Sequence, residues 1–467
     1  MSDYKLLING HMVDGATTMN VVTPATEETL AVCPRADEGQ LNEAVAAAKA
    51  AFVSWSKTNI DERKAVISQI ADVIEANAAE LAQLLTQEQG KPLADATGEV
   101  HGTAAFFRYF TSLDLPIEVL EDSETRKVEA HRKPLGVIGA IVPWNFPMIL
   151  MAFKVPPALI AGNTVVLKPS PTTPLTSLRL GELIKDIVPA GVLNIVTDAN
   201  DLGAPLTAHP DVNKISFTGS TATGAKVMAG AAGLIKRITL ELGGNDAGIV
   251  LDDVEPKKVA QQLFDSAFQN SGQVCIAMKR LYVHDSIYDE VVDELAAIAN
   301  DTVIGDGLEQ GTKLGPLQNK MQYEKVKELI ESARQDGNIV AGGEVPDQSG
   351  YFIRPTIVRD VTEGSRIVDE EQFGPVLPVI RFSDESDAIA RANNSDYGLG
   401  GSVWSSDLDR AYDVANQMNT GTVWINKHAE LDPGIPFGGS KQSGLGNELG
   451  MEGLKEFTQL KMINMAR

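Results

Sequence analysis

Apolar residues follow two rhythms along this chain. From Ala44 to Phe52 an alanine-rich stretch carries apolar positions at helical spacing, and residues 62–86 continue that period, which predicts helix. Short, almost wholly apolar runs then take over. Val137-Ile138-Gly139-Ala140-Ile141-Val142 stops at Pro143, and Thr164-Val165-Val166-Leu167 stops at Lys168-Pro169. Leu193 to Val196 is a third run. Lys214-Ile215-Ser216-Phe217 is a fourth, followed by Thr218-Gly219-Ser220 and a helical stretch to about Gly230. Parallel strands buried on both faces read this way, with helices crossing between them.

The second half keeps the style. Ala247 to Leu251, Arg280 to Val283, Val376 to Phe382, Gly401 to Trp404 and Gly421 to Ile425 read as strands, and Pro256 suits the first residue of a helix leading toward Cys275. The segment 113–134 departs from the pattern. It is polar and acidic, runs into Arg132-Lys133-Pro134, and together with the tail predicts an extra β arm outside two main cores. The expected division is 1–112 with 135–243 for one domain, 244–442 for a second, and 113–134 with 443–467 for the arm.

Composition narrows the class. At 467 residues the chain exceeds a single core, so two or three domains are expected. A formal net charge of −23 argues against non-specific binding to nucleic acid or an anionic membrane surface. No apolar run is long enough for a membrane span, and Met1-Ser2-Asp3-Tyr4-Lys5 lacks the charged-then-apolar pattern of a secretory leader. The two cysteines, Cys33 and Cys275, give no disulfide framework and fit a reducing, cytoplasmic setting.

Cys275 carries the chemistry. It follows a Gly-containing break at the end of an apparent helix, in Asn270-Ser271-Gly272-Gln273-Val274-Cys275, and a glutamate stands upstream in Leu240-Glu241-Leu242-Gly243-Gly244. A lone thiol with a distant candidate base is the pattern of an activated nucleophile. The plainer alternative is a buried apolar cysteine. A thiolate adding to a carbonyl carbon makes that carbon tetrahedral. The developing alkoxide needs fixed donors, each worth roughly 3 kcal/mol. Asn145, on a Pro-flanked turn after an apolar strand, is a rigid mount for one. The resulting thioester needs water and a base, for which Glu241 is the candidate.

Six motifs stand in register across nearly the whole chain: Pro143-Trp144-Asn145-Phe146-Pro147, Phe217-Thr218-Gly219-Ser220, Glu241-Leu242-Gly243-Gly244, Gly272-Gln273-Val274-Cys275, Glu371-Gln372-Phe373-Gly374-Pro375 and Pro436-Phe437-Gly438-Gly439. In order and spacing they resemble the aldehyde dehydrogenase superfamily. The resemblance implies an α/β fold of that type: a Rossmann-type open parallel sheet for the cofactor, an α/β catalytic domain and a small β oligomerisation arm. It implies Cys275 as nucleophile, Asn145 as oxyanion donor, Glu241 as general base and Lys168 in the active-site and cofactor network. Relatives that pass the acyl group to coenzyme A generally lack the glutamate, so its presence implies hydrolysis to the free acid. A homodimer or homotetramer is implied as well, and no metal is assigned.

No Gly-x-Gly-x-x-Gly follows a strand; Gly219-Ser220-Thr221-Ala222-Thr223-Gly224, between a strand and a helix, replaces it as a phosphate-binding turn. By resemblance the cofactor, NAD or NADP, would contact Val142, Pro143, Trp144, Lys168, Ser170, Phe217, Gly219, Ser220, Leu242, Gln322, Lys325, Glu371 and Phe373. NAD-preferring relatives often place a glutamate three residues after the lysine, but this chain has Pro171, so neither nicotinamide form is ruled out. The aldehyde would meet Phe146, Leu150, Phe153, Val274, Ile276, Leu431 and Phe437, all uncharged, and Gly102 falls where relatives often carry a larger residue. That lining favours aromatic or medium-chain aliphatic aldehydes. The alternatives are a semialdehyde dehydrogenase of the succinate-semialdehyde type and a catalytically retired binding or structural member.

Overall fold

A computed structural model describes residues 4–467. The four apolar runs become neighbours in one sheet of order His11–Val13, Leu6–Ile8, Leu193–Ile195, Thr164–Lys168, Val137–Ile141, Lys214–Thr218, Arg237–Glu241, Gly444–Leu445. The five strands from Leu193–Ile195 to Arg237–Glu241 are parallel. Every residue of the three middle strands is buried, which is why Val137–Ile141 and most of Thr164–Lys168 read as apolar runs; Lys214–Thr218 is buried as well although Lys214, Ser216 and Thr218 are polar.

A second sheet has the order Asn338–Ala341, Thr356–Arg359, Val376–Phe382, Met278–His284, Asp246–Val250, Gly400–Trp404, Thr422–Ile425 and is parallel apart from its first pair. Separate apolar clusters cover its two faces: Ile249 and Tyr282 lie in one, Val250 and Leu281 in the other. One larger cluster unites the first sheet with the N-terminal helices.

The structure departs from the pattern-based reading in several places, and it adds the strands Arg237–Glu241, Asn338–Ala341 and Thr356–Arg359, which no apolar run announced. The helical period over 62–86 is two helices, Ile60–Ala76 and Ala78–Gln89, because Asn77 leaves helical geometry and its side-chain amide donates to the Val73 carbonyl at 2.7 Å. The N-terminal stretch forms four strands that no apolar run announced, and the last, Thr29–Arg35, buries Cys33. The arm is narrower than 113–134 with 443–467. Its sheet comprises Glu118–Asp122, Arg126–Pro134 and Thr458–Ala466. Gly444–Leu445 instead extend the first sheet, and Leu449, Leu454 and Phe457 are buried in the main core.

The topology fixes where chemistry collects. From Val137–Ile141 the chain builds outward through Thr164–Lys168 to Leu193–Ile195, then returns to lay Lys214–Thr218 on the opposite flank of Val137–Ile141. Such a reversal opens a crevice at the carboxyl ends of the strands. Val142 to Asn145, Lys168, Gly219-Ser220 and Glu241 all follow directly from those ends. Only Leu242 to Asn245 separate the first sheet from the strand Asp246–Val250 of the second, so the crevice lies at the seam between the two sheets.

Candidate active site

The loop before Cys275 is held in an unusual conformation. Asn270, Ser271 and Gly272 are consecutive left-handed residues, with φ of 50°, 56° and 73°. Two of them are not glycine, and such backbone persists only where surroundings over-determine it. Here they do. Ser271 donates to the Gly315 carbonyl at 2.7 Å, Gln273 accepts the Gln318 amide at 2.8 Å, and a methyl group at Gly272 would come within 2.2 Å of the Gly374 oxygen. The loop turns a half-buried Cys275 toward the seam.

Asn145 and Glu241 come to the same place. The Asn145 side-chain amide donates to the Gln273 carbonyl at 3.0 Å, two residues before the thiol. The carbonyl of Asn145 accepts from Lys91 Nζ at 2.9 Å and from Asn270 at 3.1 Å. Lys91 in turn pairs with Glu99 at 2.5 Å, and Glu99 also accepts the Met148 amide at 2.9 Å. Gly244 closes the arrangement: a methyl there would meet the Cys275 carbonyl at 2.5 Å. The charge of Glu241 acts on the thiol, along with those of Asp246 and Glu371.

Glu241 is buried, and neither carboxylate oxygen has a hydrogen-bond partner among the described residues. Burial first, and the neighbouring Glu448 second, hold its carboxyl well above the usual carboxylate range, against the opposing Lys154 ammonium. Lys154 is itself pinned, donating to Glu448 and, at 2.7 Å, to Thr218. A buried, unpartnered carboxyl whose charge acts on a thiol suits proton transfer. Burial pushes the Cys275 thiol up to about 12, opposed chiefly by Lys279. That lysine donates to the carbonyls of Val274 and Cys275 at 2.8 and 2.7 Å and stands 3.7 Å from Glu371.

The sequence-nominated cofactor residues form two groups. One rims the carboxyl edge of the first sheet. Ser220 caps the helix Thr221–Ala232, accepting the Thr223 amide, so the amides of residues 221 and 222 have no intrahelical acceptor and face an incoming anion. Gly219 has no side chain because Phe217 packs there: a methyl would strike its ring at 2.5 Å. Leu242 fills the space over Gly224, the Val142 amide donates to the Lys168 carbonyl at 3.2 Å, and Ser170 is buried. The second group comes from the other domain. Glu371 accepts the Gly244 amide at 3.0 Å, and a methyl at Gly243 would reach within 2.6 Å of its other oxygen. Phe373 stacks edge-on against Trp144, which follows Pro143, at 5.4 Å. Gln322 and Lys325 hold this loop by its backbone: Gln322 donates to the carbonyls of Gln372 and Phe373, and Lys325 to that of Glu371. Lys168, on the same edge as the first group, pairs with Asp198 at 2.6 Å.

All seven proposed substrate-lining side chains join the apolar cluster that includes Cys275: Leu150, Phe153, Val274, Ile276 and Phe437 buried, Phe146 and Leu431 half-buried. The Phe146 ring is fixed beneath Lys91, whose nitrogen lies 3.6 Å from its centre, and Phe153 packs on Phe106 at 5.0 Å. At the mouth, burial drives His428 down to about 3, so it is neutral, and Lys427 pairs with Glu430. Gly102 gains little space, since a methyl there would press on Ile149 at 3.3 Å. Two surface hollows of about 570 and 480 Å³ lie elsewhere, beside Glu324 to Arg366 and beside Ala16 to Leu202, on open surface without the thiol.

The model of the aldehyde dehydrogenase family matches residues 12–463. The chain belongs to the aldehyde dehydrogenase family. It is 40% identical to a phenylacetaldehyde dehydrogenase of Pseudomonas fluorescens, over 99% of this chain and 96% of that one. A mitochondrial aldehyde dehydrogenase of Leishmania tarentolae is 41% identical, over 99% and 95%. Among solved structures, the NAD+ complex of a Bacillus cereus aldehyde dehydrogenase superposes with a TM-score of 0.97 at 39% identity, covering 99% and 96% of the two chains. A betaine aldehyde dehydrogenase of Staphylococcus aureus, also with NAD+, reaches 0.96 at 34%, covering 99% and 94%. This aldehyde dehydrogenase is thus an NAD(P)-dependent oxidoreductase whose substrate is a small aldehyde.

Sequence reading passed over four lysines and acids of this site: Lys91, Lys154, Lys279 and Glu448. Lys91 and Lys154 fall within helical or loop text with no motif of their own; only a buried position distinguishes them from surface lysines. No helix of this aldehyde dehydrogenase is long and apolar enough to cross a membrane. The raised thiol gives a signed expectation. Thiolate is scarce at neutral pH and grows with each unit toward about 12, so iodoacetamide should alkylate Cys275 of the ligand-free protein ever faster from pH 7 to 10. A rate that levels off below pH 9 would contradict the assigned environment.

Proposed function

We propose that Cys275, Asn145 and Glu241 perform the oxidation, and that the product leaves as a free carboxylic acid. The observation carrying this reading is their convergence: the Asn145 amide on the backbone of the nucleophile loop, Gly244 against the Cys275 carbonyl, and the unpartnered Glu241 carboxyl acting on the thiol. The two-sided rim of Ser220, Trp144, Glu371 and Phe373, with free amides at 221 and 222, fits a dinucleotide. When bound there, NAD(P)+ accepts the hydride.

Glu241 accepts the thiol proton, and the thiolate adds to the aldehyde carbon, forming the C–S bond and an alkoxide. The Asn145 side chain, held by the Lys91-anchored loop, donates to that oxygen. Loss of hydride from the same carbon restores the carbonyl as a thioester. Once that first proton has passed to solvent, Glu241 takes a second from water, whose oxygen adds to the thioester carbon; the C–S bond breaks and the thiolate is regenerated. Lys154 and Glu448 set the proton affinity of Glu241 throughout. Glu241→Gln should leave a pre-steady-state burst of reduced cofactor while the steady-state rate falls roughly 100-fold or more. An unchanged steady-state rate would remove Glu241 from hydrolysis.

The neutral cluster around the thiol supports aromatic or medium-chain aliphatic aldehydes. Phenylacetaldehyde, named for one relative at 40% identity, is of that kind. No arginine lies among the lining residues to pair with a second carboxylate, which disfavours dicarboxylic semialdehydes. A panel scored by kcat/KM should rank phenylacetaldehyde above succinate semialdehyde by at least about tenfold; the opposite order would overturn the neutral-tunnel reading.

We read the arm as the oligomerisation surface. Ile117, Val119, Leu120, Leu460, Met462 and Met465 are exposed on or beside its strands, and a second copy would cover them. Sedimentation at micromolar concentration should give a dimer or tetramer, and a monomer would end the idea. Two free cysteines support a reducing compartment, cytoplasmic in our reading, which cell fractionation would test.

A further inference from the structure

We propose that Asp198 makes this enzyme discriminate against a 2′-phosphate on the cofactor's adenosine ribose, acting through Lys168. The inference rests on the reading that the adenosine end lies along the carboxyl edge of the first sheet. Lys168 is the last residue of the strand Thr164–Lys168, and Asp198 stands just beyond the neighbouring parallel strand Leu193–Ile195. The ammonium donates to Asp198 Oδ1 at 2.6 Å. The side chains are 5% and 0% exposed.

Both oxygens of Asp198 are committed, since Oδ2 accepts the Leu202 amide at 2.8 Å. Buried behind the lysine, the carboxylate does not meet a ribose directly. Its effect therefore passes through the lysine. An ammonium has three N–H donors, and one is spent on Asp198. The remaining two serve neutral ribose hydroxyls equally well whether or not the charge behind them is compensated. A phosphate is different: its attraction depends on net charge, and Asp198 brings that of the pair to zero.

Position 171, where a carboxylate would repel phosphate directly, is proline. The Ser170 hydroxyl lies 3.2 Å from that of Thr172. The lysine side chain is 5% exposed, so its ammonium has little freedom to leave Asp198. The acid that opposes NADP thus stands behind Lys168 rather than beside the ribose, and the sequence around 171 does not reveal it.

The test is direct binding. Asp198→Asn keeps the size and an oxygen for the Leu202 amide while removing the charge. Dissociation constants for NADH and NADPH come from fluorescence titration, and those for 5′-AMP and 2′,5′-ADP from displacement of NADH, at two salt concentrations. The native enzyme should bind 5′-AMP more tightly than 2′,5′-ADP. The D198N enzyme should narrow that ratio about tenfold or more, mainly by tightening the phosphorylated ligand, and added salt should shrink the change. A purely structural role would weaken both ligands alike and leave the ratio fixed, which overturns the proposal. So does a native enzyme that binds 2′,5′-ADP as tightly as 5′-AMP at low salt, a result that needs no folded variant. If 5′-AMP fails to displace NADH at all, the placement of the adenosine falls, and the proposal with it, a result distinct from an unmoved ratio.

Discussion

Everything at this site hangs on how closely two backbones approach at the seam between the sheets. Gly243 leaves no room between itself and the Glu371 carboxylate, and Gly244 leaves none between itself and the Cys275 carbonyl. A side chain at either position would part the two halves by more than the length of a hydrogen bond tolerates. The segment that ends one sheet with Glu241 and begins the other with Asp246 is therefore also what sets the distance from base to nucleophile.

Buried ammonium groups hold the loops that this contact brings together. Lys91 secures the turn bearing Asn145, Lys154 faces Glu448 and sets Glu241, Lys279 ties down the carbonyls at Cys275, and Lys168 is compensated by Asp198. Each is buried, and each has acceptors placed for it by a different element. Removing any single partner would leave an uncompensated charge in a low-dielectric interior, so these loops have little freedom to drift. The geometry is prepared before substrate arrives, which is what stabilising charge in a transition state requires. The pronounced upward shifts at Cys275 and Glu241 have one origin: dry surroundings disfavour the charged form of both groups.

Much of this was legible in the residues. The central strands of both sheets announced themselves because parallel strands covered on both faces are mostly apolar, and Val137–Ile141, Thr164–Lys168 and Lys214–Thr218 are buried throughout. The strands Thr17–Val22 and Arg237–Glu241 did not, since they are partly exposed and mix polar with apolar residues. The division of 62–86 at Asn77 was invisible to periodicity because one residue out of helical geometry hardly disturbs the apolar spacing. The tail misled for a related reason: Leu449, Leu454 and Phe457 are few and widely spaced, and only their burial shows that they belong to the main core.

The sequence by itself determined the α/β class, the family and the nomination of Cys275, Glu241 and Asn145, because motif spacing and strand-length apolar runs are local properties of a chain. What only the tertiary structure decided is which charges face one another. Lys154 lies far from Glu448 in sequence, Lys91 from Asn145 and Lys168 from Asp198, and a buried pair forms only when folding removes the water between its members. No pattern along the chain encodes that removal, yet it sets the proton affinity of the base and the charge that any cofactor must meet.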